Sequence, residues 1–152
     1  CGMHAMDIMR MESGYLHWGH DISPKENQYE AGLNCAISLK KDLNFIGKDA
    51  LLEMKDKKPN KRLVMLVLKN SKPGEPLLLH DEPIYLDDKI IGEITFGNYS
   101  FNFIKNLSFG YIKSNLGNEE LFKKNLYIEI EKKKYPVEIL LKPLKQSNFK
   151  SI

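Results

Sequence analysis

Residues 126–141 read LYIEIEKKKYPVEILL. In Leu126-Tyr127-Ile128-Glu129-Ile130 apolar side chains recur at every second position, the pattern of a strand with one wet face. Glu131-Lys132-Lys133-Lys134 supplies a charged turn and residues 137–141 become apolar again, so the stretch predicts an antiparallel hairpin. Upstream, short apolar runs of the same kind occupy residues 63–68, 77–79, 84–86, 90–94 and 107–112, with turn signals between them. Asp87-Asp88-Lys89 reads as a second tight hairpin turn. Short strands at such spacing predict an antiparallel β barrel or sandwich over residues 63–152. Gly92, Gly97 and Gly110 fall inside strand patterns, where glycine marks a bulge or a close backbone approach. This region holds no cluster of acid, base and nucleophile and reads as scaffold.

The first 62 residues have another character. Met3, Met6, Ile8 and Met9 recur at helical spacing and Gly14 ends the pattern, which predicts a short amphipathic helix over residues 3–12. Residues 15–29 mix Gly, Pro, Asn and Asp with large aromatics and read as an ordered loop, often a functional element at this length. Residues 33–39 (LNCAISL) alternate as a strand, and residues 48–55 after Gly47 read as a second helix. KDKKPNKR, residues 55–62, reads as a charged linker, its alternative being an anion-binding patch. The fold class expected is therefore α+β, mostly β: a helix, loop and strand segment (1–54), a linker (55–62) and an antiparallel barrel (63–152). The opening Cys-Gly-Met-His-Ala reads as a piece cut from something longer.

The chain has 152 residues, 42% hydrophobic and 28% charged, which excludes disorder and coiled coil. A chain of this size hides about 70% of its unfolded surface, enough for a core without staples. A net charge of +3 gives no bulk argument for nucleic acid. The charge is uneven, with an acidic front (Asp7, Glu12, Asp21, Glu26, Glu30) and a lysine-rich tail. Two cysteines, Cys1 and Cys35, without metal-ligand spacing point to a reducing, cytoplasmic setting. No apolar run approaches the roughly 18 residues of a membrane helix. The glycosylation-type triplets at Asn98 and Asn106 carry no weight without secretion.

The densest chemistry lies in residues 10–21. His17, His20 and Asp21 offer metal-ligand types, but Gly14 and Gly19 argue against the helix that would bring the two imidazoles together, and exposed loop histidines are the plainer reading. Glu12 admits two readings. Its carboxylate matches a flat heterocycle edge with adjacent N–H groups, such as the amino-pyrimidinone edge of a pterin or guanine, with Tyr15 and Trp18 as walls. Alternatively, Arg10 and Glu12 make surface ion pairs and the aromatics belong to the core. No Ser-His-Asp order, Gly-rich phosphate loop or Cys-His pair is present.

The run RMESGYLHWGHDISPKENQYEAGL, residues 10–33, resembles a segment of sarcosine and dimethylglycine dehydrogenases, Arg-x-Glu-x-Gly-Tyr-x-x-Trp-Gly-x-Asp/Glu followed by an acidic Pro-containing loop and Glu-Ala-Gly-Leu. FIGKDAL (45–51), Arg62-Leu63-Val64, Gly92 in its hairpin, SFGYI (108–112) and Pro143 resemble later motifs of the same family. The resemblance covers nearly the whole chain and implies the C-terminal part of a folate-binding half, a module shared with the aminomethyltransferase (T-protein) of the glycine cleavage system. It implies tetrahydrofolate as cofactor, FAD in a missing part of the parent, a small methylated amine as substrate, and upstream domains as partners. Capture of the oxidised N-methyl group would yield methylenetetrahydrofolate. Carried over by position, Glu12 would hold the pterin edge with Tyr15 and Trp18 beside it, and Lys40 or Lys41 would face the anionic folate tail. The family's catalytic Asp lies upstream, so no catalytic residue and no metal ligand is expected here, and the isolated chain is expected to be inactive. Ser13 stands where Lys is common, and Leu144 where Phe is usual. A stand-alone aminomethyltransferase and a non-catalytic interdomain assembly module are the alternatives; an iron–sulfur repair protein is disfavoured because its Lys-Gly-Cys-Tyr type motif is absent.

Overall fold

Strand β1 (Arg62–Leu68) reads RLVMLVL, without the alternation of a one-faced strand. The computed structural model, which describes residues 2–113, 115, 117, 120, 121, 123–140, 143 and 144, shows why. With β2 (Pro83–Leu86), β3 (Lys89–Ser100), β4 (Lys105–Ile112), β5 (Leu126–Ile130) and β6 (Lys133–Leu140), β1 closes an antiparallel barrel in the order β1-β4-β3-β2-β5-β6. Val64, Leu66 and Leu68 point into the barrel with Ile84, Ile94, Ile112 and Ile128. Met65 and Val67 point outward into a second cluster with Met11, Leu107 and Phe109. A strand covered on both faces must be apolar throughout, and β1 is.

The outer cluster seats helix α1 (Met3–Ser13), which turns Ile8 and Met11 toward the barrel and leaves Met3, Met6 and Met9 exposed. Gly14 ends α1 in a left-handed conformation (φ 78°). A side chain there would also stand 2.4 Å from the Pro143 ring, so turn and packing both require glycine. Helix α2 (Lys48–Lys55) is tied to the loop before it by the Tyr29 hydroxyl, which donates to the Leu51 carbonyl at 2.8 Å.

Three expectations need correction. Residues 33–39 are not a strand: a short 3-10 turn, Asn34–Ala36, stands there, because a closed barrel offers no free edge for a further strand to pair with. Residues 77–79 also form no strand; the Leu79 N–H donates to the Glu82 carboxylate at 3.1 Å and its carbonyl accepts from the Gly97 N–H at 2.7 Å, while Leu78 is buried in the barrel core against Gly97. In contrast, β3 continues six residues beyond the expected 90–94, through a Gly-Asn-containing segment without apolar alternation. Residue 141 lies outside the described residues, as do 145–152. Both expected hairpins form. Leu86 pairs with Lys89 and Ile130 with Lys133, and the latter turn places Glu131 and Lys132 at positive φ, matching the right-handed strand twist.

Gly92 and Gly110 stand where a side chain would run into the backbone of the neighbouring strand. A Cβ on Gly92 would lie 1.9 Å from the Tyr111 carbonyl oxygen, and one on Gly110 2.8 Å from that of Glu93. Backbone cannot yield as a flexible side chain does, so Gly92→Ala is expected to cost about 1–3 kcal/mol. Urea unfolding followed by circular dichroism checks this; a wild-type midpoint would contradict it.

Candidate functional site

The loop between α1 and the barrel is organised by one carboxylate. Asp21 is 1% exposed and accepts three hydrogen bonds at its carboxylate and one at its carbonyl, from α1, its own loop, β3 and β4. Its Oδ2 accepts from Arg10 Nη1 and from the His17 N–H at 2.8 Å, and its Oδ1 accepts from the Thr95 hydroxyl at 2.7 Å. Its carbonyl accepts from the Tyr111 hydroxyl at 2.9 Å. Thr95 is the unpaired residue of the bulge where β3 shifts register against β4 between Ile94 and Phe96, and the bulge aims its hydroxyl at the loop. Burial first, and then the nearby carboxylates of Glu26, Asp21 and Glu30, push the Tyr111 phenol far up, so it remains a donor.

Arg10 completes the knot. Its Nε donates to Asp7 at 2.9 Å, its Nη1 also reaches the Tyr15 carbonyl at 3.3 Å, and its guanidinium lies 5.2 Å from the Phe96 ring centre. Arg10 therefore makes buried pairs with Asp7 and Asp21, not surface pairs. The His17 and His20 rings stand 4.6 Å apart, and His17 Nδ1 is 3.9 Å from Asp7. Among the described residues no group of three His, Cys, Asp or Glu side chains is placed to hold a metal ion.

Glu12 points into the joint between α1 and the barrel. It is 2% exposed; its Oε1 accepts from the Ser100 hydroxyl at 2.6 Å, and the Asn102 amide bridges both oxygens at 3.2 and 3.0 Å. Nothing in the sequence linked Glu12 to residues 88 and 90 positions away. Tyr15 and Trp18, by contrast, are outside the core at 67% and 64% exposure. Lys40 and Lys41 are exposed, and Lys41 borders an open hollow of about 460 Å³ with Ile37, Leu43 and Phe45. The Lys48 ammonium donates to the Lys41 and Leu43 carbonyls at 3.0 and 2.9 Å and shapes that hollow. The expected site residues thus divide between a buried joint (Glu12), an exposed loop (Tyr15, Trp18) and the segment after it (Lys40, Lys41).

A larger groove, about 940 Å³, runs between residues 19–26 and the first half of β3. Lys61, which the sequence placed in a linker, closes one side: its ammonium pairs with Glu26 at 2.6 Å and lies 4.6 Å above the Tyr111 ring centre. Burial works to raise the Glu26 pKa, but hydrogen bonds from Lys61 and Ser23 outweigh it and hold the carboxyl below its usual range.

Comparison with known proteins finds the glycine cleavage T-protein C-terminal barrel domain matching residues 61–145 and the GCVT N-terminal domain matching residues 1–41. The 4-methylaminobutanoate oxidase (formaldehyde-forming) of Paenarthrobacter nicotinovorans is 41% identical over 98 residues, 64% of this chain and 12% of that protein. Human mitochondrial dimethylglycine dehydrogenase is 33% identical over 143 residues, 94% of this chain and 16% of that one. The chain therefore spans less than a fifth of either relative. The glycine cleavage system aminomethyltransferase T of Bartonella henselae superposes with a TM-score of 0.77 at 24% identity, covering 93% of this chain and 38% of that one, which establishes the likeness of fold.

Two measurements test the knot. Asp21→Ala leaves the Arg10 guanidinium buried with Asp7 as its remaining carboxylate partner, and is expected to cost about 3–5 kcal/mol in urea unfolding. Glu26 titrates below its unfolded value, so its contribution is present above the ordinary carboxylate range and fades as pH falls through its folded pKa. Glu26→Gln should therefore cost about 1–2 kcal/mol at neutral pH and progressively less in acid; an equal loss at both would show that the charge of Glu26 is immaterial.

Proposed function

The chain belongs to the glycine cleavage T-protein family, and we propose that it forms one part of a tetrahydrofolate-dependent one-carbon enzyme of the dimethylglycine or sarcosine dehydrogenase type. The carrying observation is the likeness to human dimethylglycine dehydrogenase, which runs through helix, loop and barrel over 94% of the chain. In this reading residues 1–54 are the end of a folate-binding domain, 55–62 a linker and 63–152 the terminal barrel, in a cytoplasmic enzyme.

The residues present fit a folate in part. The exposed rings of Tyr15 and Trp18 suit the faces of a flat heterocycle, and Lys40 and Lys41 suit an anionic tail. The buried Glu12 carboxylate is already engaged by Ser100 and Asn102, so its first task is positional: it holds the turn after β3 against α1. A direct grip on the pterin edge requires the ring to take the place of the Asn102 amide, which already presents an N–H group across both oxygens. Bound flavin elsewhere in the enzyme supplies oxidation of the N-methyl group of a small amine, and bound tetrahydrofolate supplies the nitrogens that take up the released carbon as methylenetetrahydrofolate. The residues of this chain bind and orient, so that capture is faster than escape to water. Its rate contribution is proximity, and alone it is expected to turn over no substrate.

Exposed Met3, Met6 and Met9 favour packing of α1 against the remainder of the polypeptide, consistent with an interdomain role alongside the folate site. An aminomethyltransferase parent would use the same surface.

Calorimetric titration of the full-length enzyme with tetrahydrofolate tests the assignment. Trp18→Ala and Lys41→Glu are each expected to weaken binding about tenfold, roughly 1.4 kcal/mol. Asn102→Ala separates the two tasks of Glu12, because it strengthens binding if the ring competes for the carboxylate and otherwise lowers only stability. Absence of tetrahydrofolate binding by the full-length protein would overturn the proposal.

A further inference from the structure

The segment that leads into α2 has no side chain to hold it in place. Residues 40–47 are all exposed, the apolar Leu43, Phe45 and Ile46 included, and they belong to no strand. A loop with so little packing opens at small cost unless hydrogen bonds fix it.

Those bonds come from one residue. Lys48, the first residue of α2, donates from its ammonium to the Lys41 carbonyl at 3.0 Å and to the Leu43 carbonyl at 2.9 Å, and from its backbone N–H to the Phe45 carbonyl at 3.1 Å. Three alternate carbonyls, those of residues 41, 43 and 45, thus converge on Lys48. Among the described residues no other hydrogen bond reaches residues 40–46. The ammonium forms no ion pair among the described residues either, so backbone carbonyls are what meet its charge.

The loop held in this way forms a wall of the hollow of about 460 Å³, where Lys41 is the charged lining residue and Ile37, Leu43 and Phe45 are apolar. The neighbouring Asp42 and Asp49 do not line it. Apolar walls with one cation suit an aromatic ring that carries an anionic group, as the aminobenzoyl-glutamate part of tetrahydrofolate does.

We propose that Lys48 is the positioning residue of this subsite: by gathering the carbonyls of residues 41, 43 and 45 it sets the hollow and the Lys41 cation that receive the aryl-glutamate tail. The inference rests on the folate reading of Lys41 and adds the residue through which that subsite takes its shape. Without the ammonium donors, the tail must order the loop as it binds, whereas the pterin end of the ligand is unaffected.

The full-length enzyme is titrated calorimetrically with tetrahydrofolate and with 6-methyltetrahydropterin, which lacks the tail. Where the latter binds too weakly for direct titration, its displacement of tetrahydrofolate gives the same comparison. Lys48→Met removes both ammonium donors and keeps a good helix former at the start of α2, so the circular dichroism spectrum should match wild type. Tetrahydrofolate binding is expected to weaken about fivefold, the order expected for losing hydrogen bonds from a charged group at an exposed loop, with tetrahydropterin binding unchanged. In a Lys41→Glu background Lys48→Met should add about twofold or less, because a residue that acts largely through Lys41 loses its effect once Lys41 is gone. Equal weakening of both ligands, unchanged tetrahydrofolate binding, or full additivity with Lys41→Glu would each overturn the proposal. If Lys41→Glu itself leaves tetrahydrofolate affinity unchanged, the tail reading of Lys41 fails and the positioning role with it; a Lys41→Glu effect without a Lys48→Met effect removes the positioning role alone.

Discussion

The buried carboxylate of Asp21 is the point on which helix, loop and barrel agree. It has no solvent contact to compensate its charge, so it requires donors, and the donors come from α1 (Arg10), from its own loop (His17) and from β3 (Thr95). A buried charge lacking any of these would destabilise the fold by more than the pair itself contributes. One acid therefore fixes the position of α1 on the barrel, the path of residues 14–22, and through them the placement of the exposed rings of Tyr15 and Trp18.

The barrel supplies the rigid side of this arrangement. Closure leaves no open edge, so its outer surface meets the rest of the chain mainly through side chains, with single backbone contacts such as the Leu63 N–H to the Glu30 carbonyl at 2.7 Å. β1 and β4 are covered inside by the barrel core and outside by α1, and the second cluster around Met11 and Phe109 is what a barrel standing alone would expose. Glu12 adds a polar bolt beside this apolar contact, joining the last turn of α1 to the turn after β3. The proposed one-carbon role, in which reactants are held together, would call for such stiffness, because small displacements of a positioning surface are costly in rate.

The family assignment and the local chemistry meet at the surface of this piece. The chain covers 12% and 16% of the two relatives described, so in the proposed role most of a folate site, and the oxidation, would belong to other parts of the enzyme. Consistent with that, the features available to a ligand here are faces and charges: two exposed rings, cations after the loop, and a groove lined by lysines and carboxylates.

What the sequence determined by itself was local and periodic. Alternation in residues 126–130, the hairpin turns at Asp87 and Glu131, the glycine stop after α1 and the unbroken apolar run of β1 all express rules that operate within a few residues, and each predicted its element. Residues 33–39 show the limit, since they alternate as a strand does but find no edge to pair with. The second half of β3 shows the converse, a segment without pattern held as strand by β4. Candidate residues were legible as chemical types, yet their roles depended on contacts 74 to 90 residues away: Thr95 for Asp21, and Ser100 and Asn102 for Glu12. Only the tertiary structure decided those roles, because a carboxylate's function follows from which donors surround it and how much water reaches it, and neither is encoded in its neighbours along the chain.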